Sequence, residues 1–182
     1  MIDQTNEVSH ILISSEELDA ITTRLAAEIS RDYEGKKLLL LGILKGSVLF
    51  MADLMRKLTV PAEIDFMKVS SYGSGTVSSG KLKIYLDILR KNPEECDILI
   101  VEDIIDSGRT LSMLTRHLRE RGMESVRTVT LLDKPSRREV PFTPDYVGRE
   151  IPDCFVVGYG LDYDEKYRTL PYIGIPDFAF RK

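Results

Sequence analysis

Ile98-Leu99-Ile100-Val101-Glu102-Asp103-Ile104-Ile105-Asp106-Ser107-Gly108-Arg109-Thr110-Leu111 is the stretch from which the fold is read. Asp97–Val101 is apolar without polar alternation, the pattern of a strand buried on both faces. Leu111, Leu114 and Leu118 recur at helical spacing after it, and Gly122 ends the run. Between strand and helix stand an acid pair, a third acid and a Ser-Gly-x-Thr turn. In open sheets built from such strand–helix units, ligands collect at the carboxyl ends of the strands. The Ser107–Thr110 turn can aim backbone N–H groups and two hydroxyls at one phosphate, aided by the helix N-terminus. Gly108 lets the backbone come close. Glu102 and Asp103 are hard oxygen donors suited to hydrated Mg2+ or ribose hydroxyls, and Asp106 stands where a general acid or base belongs. Read alone, the same residues cap a helix and project solvated acids.

Working outward, strand and helix alternate. Ser14-x-x-Glu17 is a capping-box pattern before Leu18, Ile21, Leu25 and Ile29 at helical spacing, and Gly35 stops that run. Lys37–Ile43 is a second apolar strand. Ser47–Leu58 predicts a helix with Val48, Met51, Met55 and Leu58 on its inner face, the methionines as core filler, and Pro61 closes it. Ile64 to Val69 reads as a strand, and Leu82, Ile84 and Leu86 alternate as another. Ser71–Gly80 holds four Ser, three Gly and one Thr, which predicts a mobile loop. Val126–Leu132 is a further strand, followed by Pro-punctuated loops and the short apolar runs Phe155–Tyr159 and Tyr172–Ile175. The expectation is one α/β domain over residues 1–182, a mostly parallel twisted sheet with helices on both faces.

Composition narrows the function classes. The chain has 182 residues, 25 Lys+Arg against 29 Asp+Glu, and a net charge of −4, which argues against a general nucleic-acid-coating role. Cys96 and Cys154 are too few for a disulfide framework or a zinc ribbon, and His10 and His117 cannot form an H-E-x-x-H site. The longest apolar run, Leu38–Leu44, is far below the roughly 20 residues of a membrane helix. With an acid at Asp3 and no basic leader, the expected setting is cytoplasmic. Gly158-x-Gly160 lacks the third glycine of a dinucleotide fingerprint, since Tyr163 stands there.

The fourteen-residue string closely resembles the phosphoribosyl-pyrophosphate signature of type I phosphoribosyltransferases. Its Glu-Asp pair and Ile-Ile-Asp-Ser-Gly continuation look most like the hypoxanthine–guanine members. Leu44-Lys45-Gly46-Ser47 is similar to that family's pyrophosphate loop, which implies a cis peptide before Lys45. Ser70-Ser71-Tyr72-Gly73 and the loop after it resemble the family's flexible lid, placing Ser71 and Tyr72 among the substrate contacts. Leu131-Leu132-Asp133-Lys134 resembles the segment whose lysine reads the purine 6-oxo group. Phe155-Val156-Val157-Gly158-Tyr159-Gly160-Leu161-Asp162-Tyr163-Asp164-Glu165-Lys166-Tyr167-Arg168 resembles the purine pocket. There the resemblance implies a ring stack from Phe155, a backbone contact from Val156, a second metal ligand in Asp162 and a pyrophosphate contact from Arg168.

The resemblance further implies a small hood made by the N- and C-terminal segments, a lid at residues 71–80, and Mg2+ on Glu102, Asp103 and Asp162. Donor contacts would come from Lys45, Gly46, Glu102, Asp103, Ile104, Ile105, Asp106, Ser107, Gly108, Arg109 and Thr110, with Asp106 as the proton-exchanging catalytic residue. The implied activity is purine salvage: transfer of phosphoribosyl from its pyrophosphate donor to hypoxanthine or guanine, giving IMP or GMP, in a homodimer or homotetramer. A nucleotide-sensing RNA-binding regulator on the same fold is the competing reading. Ile88–Cys96 departs from the Gly-rich connection expected there and has no functional account.

Overall fold

Strands that are apolar on both faces must lie at the centre of a covered sheet, and these do. The computed structural model describes Val8, residues 10–71 and residues 82–177. The expected lid lies outside the described residues except for the backbone of Ser71, and so does Tyr72. In chain order the elements are β1 (His10–Ile13), α1 (Ser15–Asp32), β2 (Leu38–Ile43), α2 (Val48–Lys57), β3 (Ala62–Ser71), β4 (Leu82–Leu86), β5 (Asp97–Ile105), α3 (Arg109–Glu120), β6 (Val126–Asp133), β7 (Tyr146–Glu150) and β8 (Ile173–Ile175). Among the described residues, six strands form one sheet in the order β4-β3-β2-β5-β6-β7. All of its neighbours are parallel except β3 and β4. β1 and β8 pair antiparallel in a separate two-stranded sheet, which joins the two ends of the chain as the expected hood.

Alternation along the central strands divides the core into two layers. Leu38, Leu40, Leu99 and Val101 face α1 and α2, whereas Leu39, Leu41, Ile98 and Ile100 face α3. Each of these eight side chains is at most 1% exposed. α1 begins with the expected capping box: the Glu17 N–H donates to Ser14 Oγ at 3.3 Å, and the Ser14 N–H to Glu17 Oε2 at 2.9 Å. Among the described residues no helix is long and apolar enough to cross a membrane.

Several sequence expectations are corrected. α2 buries Phe50, Met51 and Leu54, while Val48 and Met55 are 39% and 41% exposed. The buried Ser47 hydroxyl donates to the Ile43 carbonyl at 2.6 Å, and the resulting rotation brings positions three, four and seven beyond Ser47 inward. β5 does not stop at Val101 but continues through Ile105, because β6 goes on pairing with it as far as Ile105 opposite Asp133. β1 and β7 were not anticipated, being short and mixed in polarity. The short apolar run Phe155–Tyr159 meets β8 through an isolated bridge from Val157 to Gly174.

Candidate active site

β2 and β5 pair as far as Gly42 opposite Val101. β2 then ends at Ile43 and turns into α2 on one face of the sheet, while β5 runs on and turns into α3 on the other. Their divergence leaves the last residues of β5 paired on one side only, which opens a crevice at the carboxyl edge. The cavity there has a volume of about 450 Å3. Its walls come from the loop after β2 (Leu44, Lys45, Gly46), the end of β3 (Val69, Ser70), β5 and its turn (Glu102 to Gly108, then Thr110 and Leu111), and Asp162 with Arg168.

Twelve residues expected from the sequence therefore share one cavity: Lys45, Gly46, Glu102, Asp103, Ile104, Ile105, Asp106, Ser107, Gly108, Thr110, Asp162 and Arg168. The Leu44–Lys45 peptide is cis, as the resemblance implied. Arg109 does not line the cavity; its guanidinium pairs with Glu139 at 2.6 Å. Lys134 is also outside the lining, but its ammonium lies 3.4 Å from Asp106 Oδ1, and only 9% of its side chain is exposed. Phe155 is 44% exposed and meets Tyr163 edge-on at 5.8 Å between ring centroids; Val156 is buried. Neither lines the cavity. The Ser71 side chain and Tyr72 lie outside the described residues.

Electrostatics sort the walls. Glu102 and Asp103 are neighbouring carboxylates at the strand end, and burial pushes both upward from the ordinary carboxylate range. For Glu102 the adjacent Asp103 charge adds to that; for Asp103 hydrogen bonding, including the Ile104 N–H at 2.9 Å, offsets part of it. Across the cavity Lys45 pairs with Glu165 at 2.9 Å, and Arg168 with Asp162 at 2.9 Å and Glu165 at 3.1 Å. Lys45 and Arg168 both hold Glu165 below its usual range. The segment that carries these groups turns on left-handed backbone at Tyr159, Asp164, Glu165 and Tyr167, a density of unfavourable non-glycine φ values typical of functional loops.

Two glycines press the walls together. A methyl carbon at Gly160 would stand 2.1 Å from the Gly46 carbonyl oxygen, and one at Gly46 would stand 1.6 Å from Asp103 Oδ2. The 158–168 segment, the loop after β2 and the strand-end acid are thus in direct register with one another.

A Ser-Gly-x-Thr turn, an acid pair and two cations stand around one strand-end crevice. The family model described as the phosphoribosyl transferase domain matches residues 11–164. The chain belongs to the phosphoribosyltransferase family. The hypoxanthine-guanine phosphoribosyltransferase of Bacillus subtilis is 52% identical over 93% of this chain and 94% of its own length. The bifunctional protein TilS/HprT of Listeria innocua is 53% identical over 93% of this chain, which spans only 26% of that longer protein. In structure, a hypoxanthine phosphoribosyltransferase from Staphylococcus aureus is similar with a TM-score of 0.90 and 46% identity, covering 97% of this chain and 96% of that one.

In this phosphoribosyltransferase the donor set of Glu102 and Asp103 fits a hard divalent cation: both are carboxylates, and burial penalises their unneutralised charge. Among the described residues no three Asp, Glu, His or Cys side chains converge as a metal cage. The expected third ligand, Asp162, does not converge with Glu102 and Asp103 in such a cage. Asp162 is already engaged by Arg168 and by the Glu165 N–H at 2.9 Å. Sequence reasoning missed Ile43, Leu44, Val69, Ser70 and Leu111 as lining residues, and Glu165 as the partner of both cations. For Leu44 and Ser70 the signal was adjacency to recognised residues; Glu165 carries no signal before the turn brings it back.

Proposed function

We propose that this phosphoribosyltransferase moves the 5-phosphoribosyl group from phosphoribosyl pyrophosphate to a 6-oxopurine, hypoxanthine or guanine, and releases pyrophosphate. The observation that carries this reading is that Ser107, Gly108 and Thr110 of the turn, the Glu102–Asp103 pair and Asp106 all line one cavity. The turn at the N-terminus of α3 receives the 5-phosphate. Glu102 and Asp103 would hold Mg2+, which would supply charge neutralisation for the leaving pyrophosphate and orientation of the ribose hydroxyls. Lys45 and Arg168 exchange their internal acids for pyrophosphate oxygens. The Lys45–Glu165 pair is half-exposed, so giving it up costs little, on the order of 0–1 kcal/mol.

Purine N9 forms a bond to C1′ as the C1′–pyrophosphate bond breaks, and the proton on N7 passes to the Asp106 carboxylate. Positioning and charge neutralisation supply most of the catalysis. Lys134, held close to Asp106, donates to the purine 6-oxo oxygen. The exposed Phe155 ring provides a stacking face beside the Val156 backbone. Arg109 is left out of the donor contacts because it does not line the cavity. Asp162, released if Arg168 turned to pyrophosphate, would be free to hold a second cation.

The test is pyrophosphate release with Mg2+, donor and one base at a time. Turnover with hypoxanthine and guanine but not with adenine or uracil is expected. Silence with every base, from folded protein, overturns the reading and leaves a nucleotide-sensing role to pursue. The expected homodimer or homotetramer is checked separately by light scattering.

A further inference from the structure

The turn that receives the 5-phosphate is held from outside by residues that do not line the cavity. β6 ends at Asp133, opposite Ile105 at the end of β5, and the Lys134 N–H donates to the Ile105 carbonyl at 3.0 Å. A single 3-10 turn, Pro135–Arg137, then brings the chain back beneath the site. Arg138 follows it. One arm of its guanidinium donates to the Asp106 backbone carbonyl and the other to the Asp133 carboxylate. Arg138 is 16% exposed at its side chain and Asp133 is 9% exposed, so the pair is shielded from solvent. The next two N–H groups, of Glu139 and Val140, both donate to the Ser107 carbonyl, at 3.0 and 3.3 Å. The Arg138 stem closes the same strap: its Cδ lies 2.9 Å from where a methyl carbon on Gly108 would stand.

Peptide planarity turns this outer strap into an inner effect. In a trans peptide the C=O of one residue and the N–H of the next point in opposite directions. Tying the Asp106 carbonyl to Arg138 therefore aims the Ser107 N–H the other way, and tying the Ser107 carbonyl to Glu139 and Val140 aims the Gly108 N–H likewise. Both residues line the cavity. Their paired N–H groups at a helix N-terminus make an anion-binding concavity.

We propose that Arg138 is a positioning residue for the phosphate turn: by clamping the Asp106 carbonyl against Asp133 it fixes the Ser107 and Gly108 N–H groups toward the 5-phosphate of the donor. Arginine suits this because one planar fork spans two acceptors, whereas a lysine ammonium is a point charge on a flexible stem. The clamp acts directly on the ribose-phosphate half of the site, so donor binding depends on it far more than purine binding does. This inference rests on the proposed function, because it needs the turn to receive a phosphate.

Removing Arg138 alone strands the buried Asp133 charge and risks the fold. The test therefore uses two variants, Arg138→Lys, which keeps the charge, and the double variant Arg138→Met with Asp133→Asn, which removes both charges together. Calorimetry measures phosphoribosyl pyrophosphate binding in Mg2+ buffer, and steady-state kinetics measure KM for donor and for hypoxanthine. The expected result is donor affinity weakened about 10- to 100-fold in both variants, with hypoxanthine KM changed by less than about threefold. A merely structural role would move both KM values or neither. Wild-type donor affinity in the folded double variant overturns the clamp while leaving the proposed function standing. Failure of the wild-type protein to bind the donor overturns the proposed function, and the clamp with it.

Discussion

Gly46→Ala is the sharpest perturbation that the geometry offers. A methyl carbon on Gly46 would stand 1.6 Å from Asp103 Oδ2 and 2.6 Å from its Cγ, whereas real contacts of this kind stay beyond 3.0 Å. Both walls are anchored, so movement of either has a cost. Asp103 Oδ1 is anchored by the Ile104 N–H at 2.9 Å. On its other side the Gly46 carbonyl packs so closely on Gly160 that a methyl carbon there would stand 2.1 Å away. The carboxylate must therefore retreat from 1.6 Å to beyond 3.0 Å, a shift of more than an ångström in a group proposed to orient the metal. Misplacement on that scale costs about 10²-fold in rate, and overpacking costs about 1–3 kcal/mol of stability.

The assay is pyrophosphate release with hypoxanthine, run as a Mg2+ titration at saturating donor, beside thermal unfolding. Gly46→Ala is expected to lower kcat/KM by about 10²-fold and to raise the Mg2+ needed for half-maximal rate. Gly122→Ala is the control: Gly122 has φ +91 with nothing within 4 Å, so its alanine variant loses stability through backbone strain and keeps its activity. A Gly46→Ala enzyme within about threefold of wild type, with unchanged Mg2+ dependence, would refute the contact between loop and acid as a determinant of catalysis.

Three further outcomes are expected. Asp106→Asn lowers the single-turnover rate by about 10²–10⁴ with little change in donor affinity, and near-wild-type turnover removes Asp106 from proton transfer. Lys134→Ala still binds the donor but loses its preference for hypoxanthine over adenine in the base panel; an unchanged preference sinks the assigned role. Tyr146→Phe tests a scaffold contact. The Tyr146 hydroxyl donates to Asp32 Oδ2 at 2.8 Å, which with Arg127 holds the Asp32 carboxyl below its usual range, while burial pushes the Tyr146 phenol up to about 12. A depressed carboxylate contributes stability above its unfolded pKa of about 3.9 and loses it as pH falls through the folded value. The variant is therefore about 0.5–1.5 kcal/mol less stable than wild type at pH 7, toward the low end because Asp32 is 35% exposed, and urea unfolding should show that gap closing below pH ~4. A gap independent of pH refutes the coupling.

The central sheet was legible because β2 and β5 announce burial on both faces through runs of Leu, Ile and Val that have no other use at that length. α1 was legible through Ser14 and Glu17, a cap whose chemistry is entirely local. The same locality explains where reading failed. The rotation of α2 is set by a hydrogen bond from Ser47 back to Ile43, which apolar spacing does not encode, so Val48 and Met55 were turned inward wrongly. The strand end at Glu102 and Asp103 looked like a loop because acids disfavour burial. Only pairing with β6 keeps it extended. Arg138 and Glu165 were invisible for a different reason: each acts across more than thirty positions of chain, on Asp106 and Lys45, and neither bears a local pattern.

Burial divides the charged pairs around the cavity into three kinds with different work. Lys45–Glu165 is exposed at 50% and 64% of its side chains, so water already competes for it and an incoming anion displaces it at small cost. Arg138–Asp133, at 16% and 9%, is shielded, and parting it would leave a desolvated charge on each side. Lys134–Asp106 is mixed: the lysine is 9% exposed and the carboxylate 48%. The exposed partner can swing to a ligand while the buried one stays in place. This gradient lets one small crevice hold its cations ready without a ligand and still release them to one. In the proposed reaction the shielded pair would keep the phosphate turn rigid, the exposed pair would give way to pyrophosphate, and the mixed pair would place its mobile carboxylate where a proton has to move.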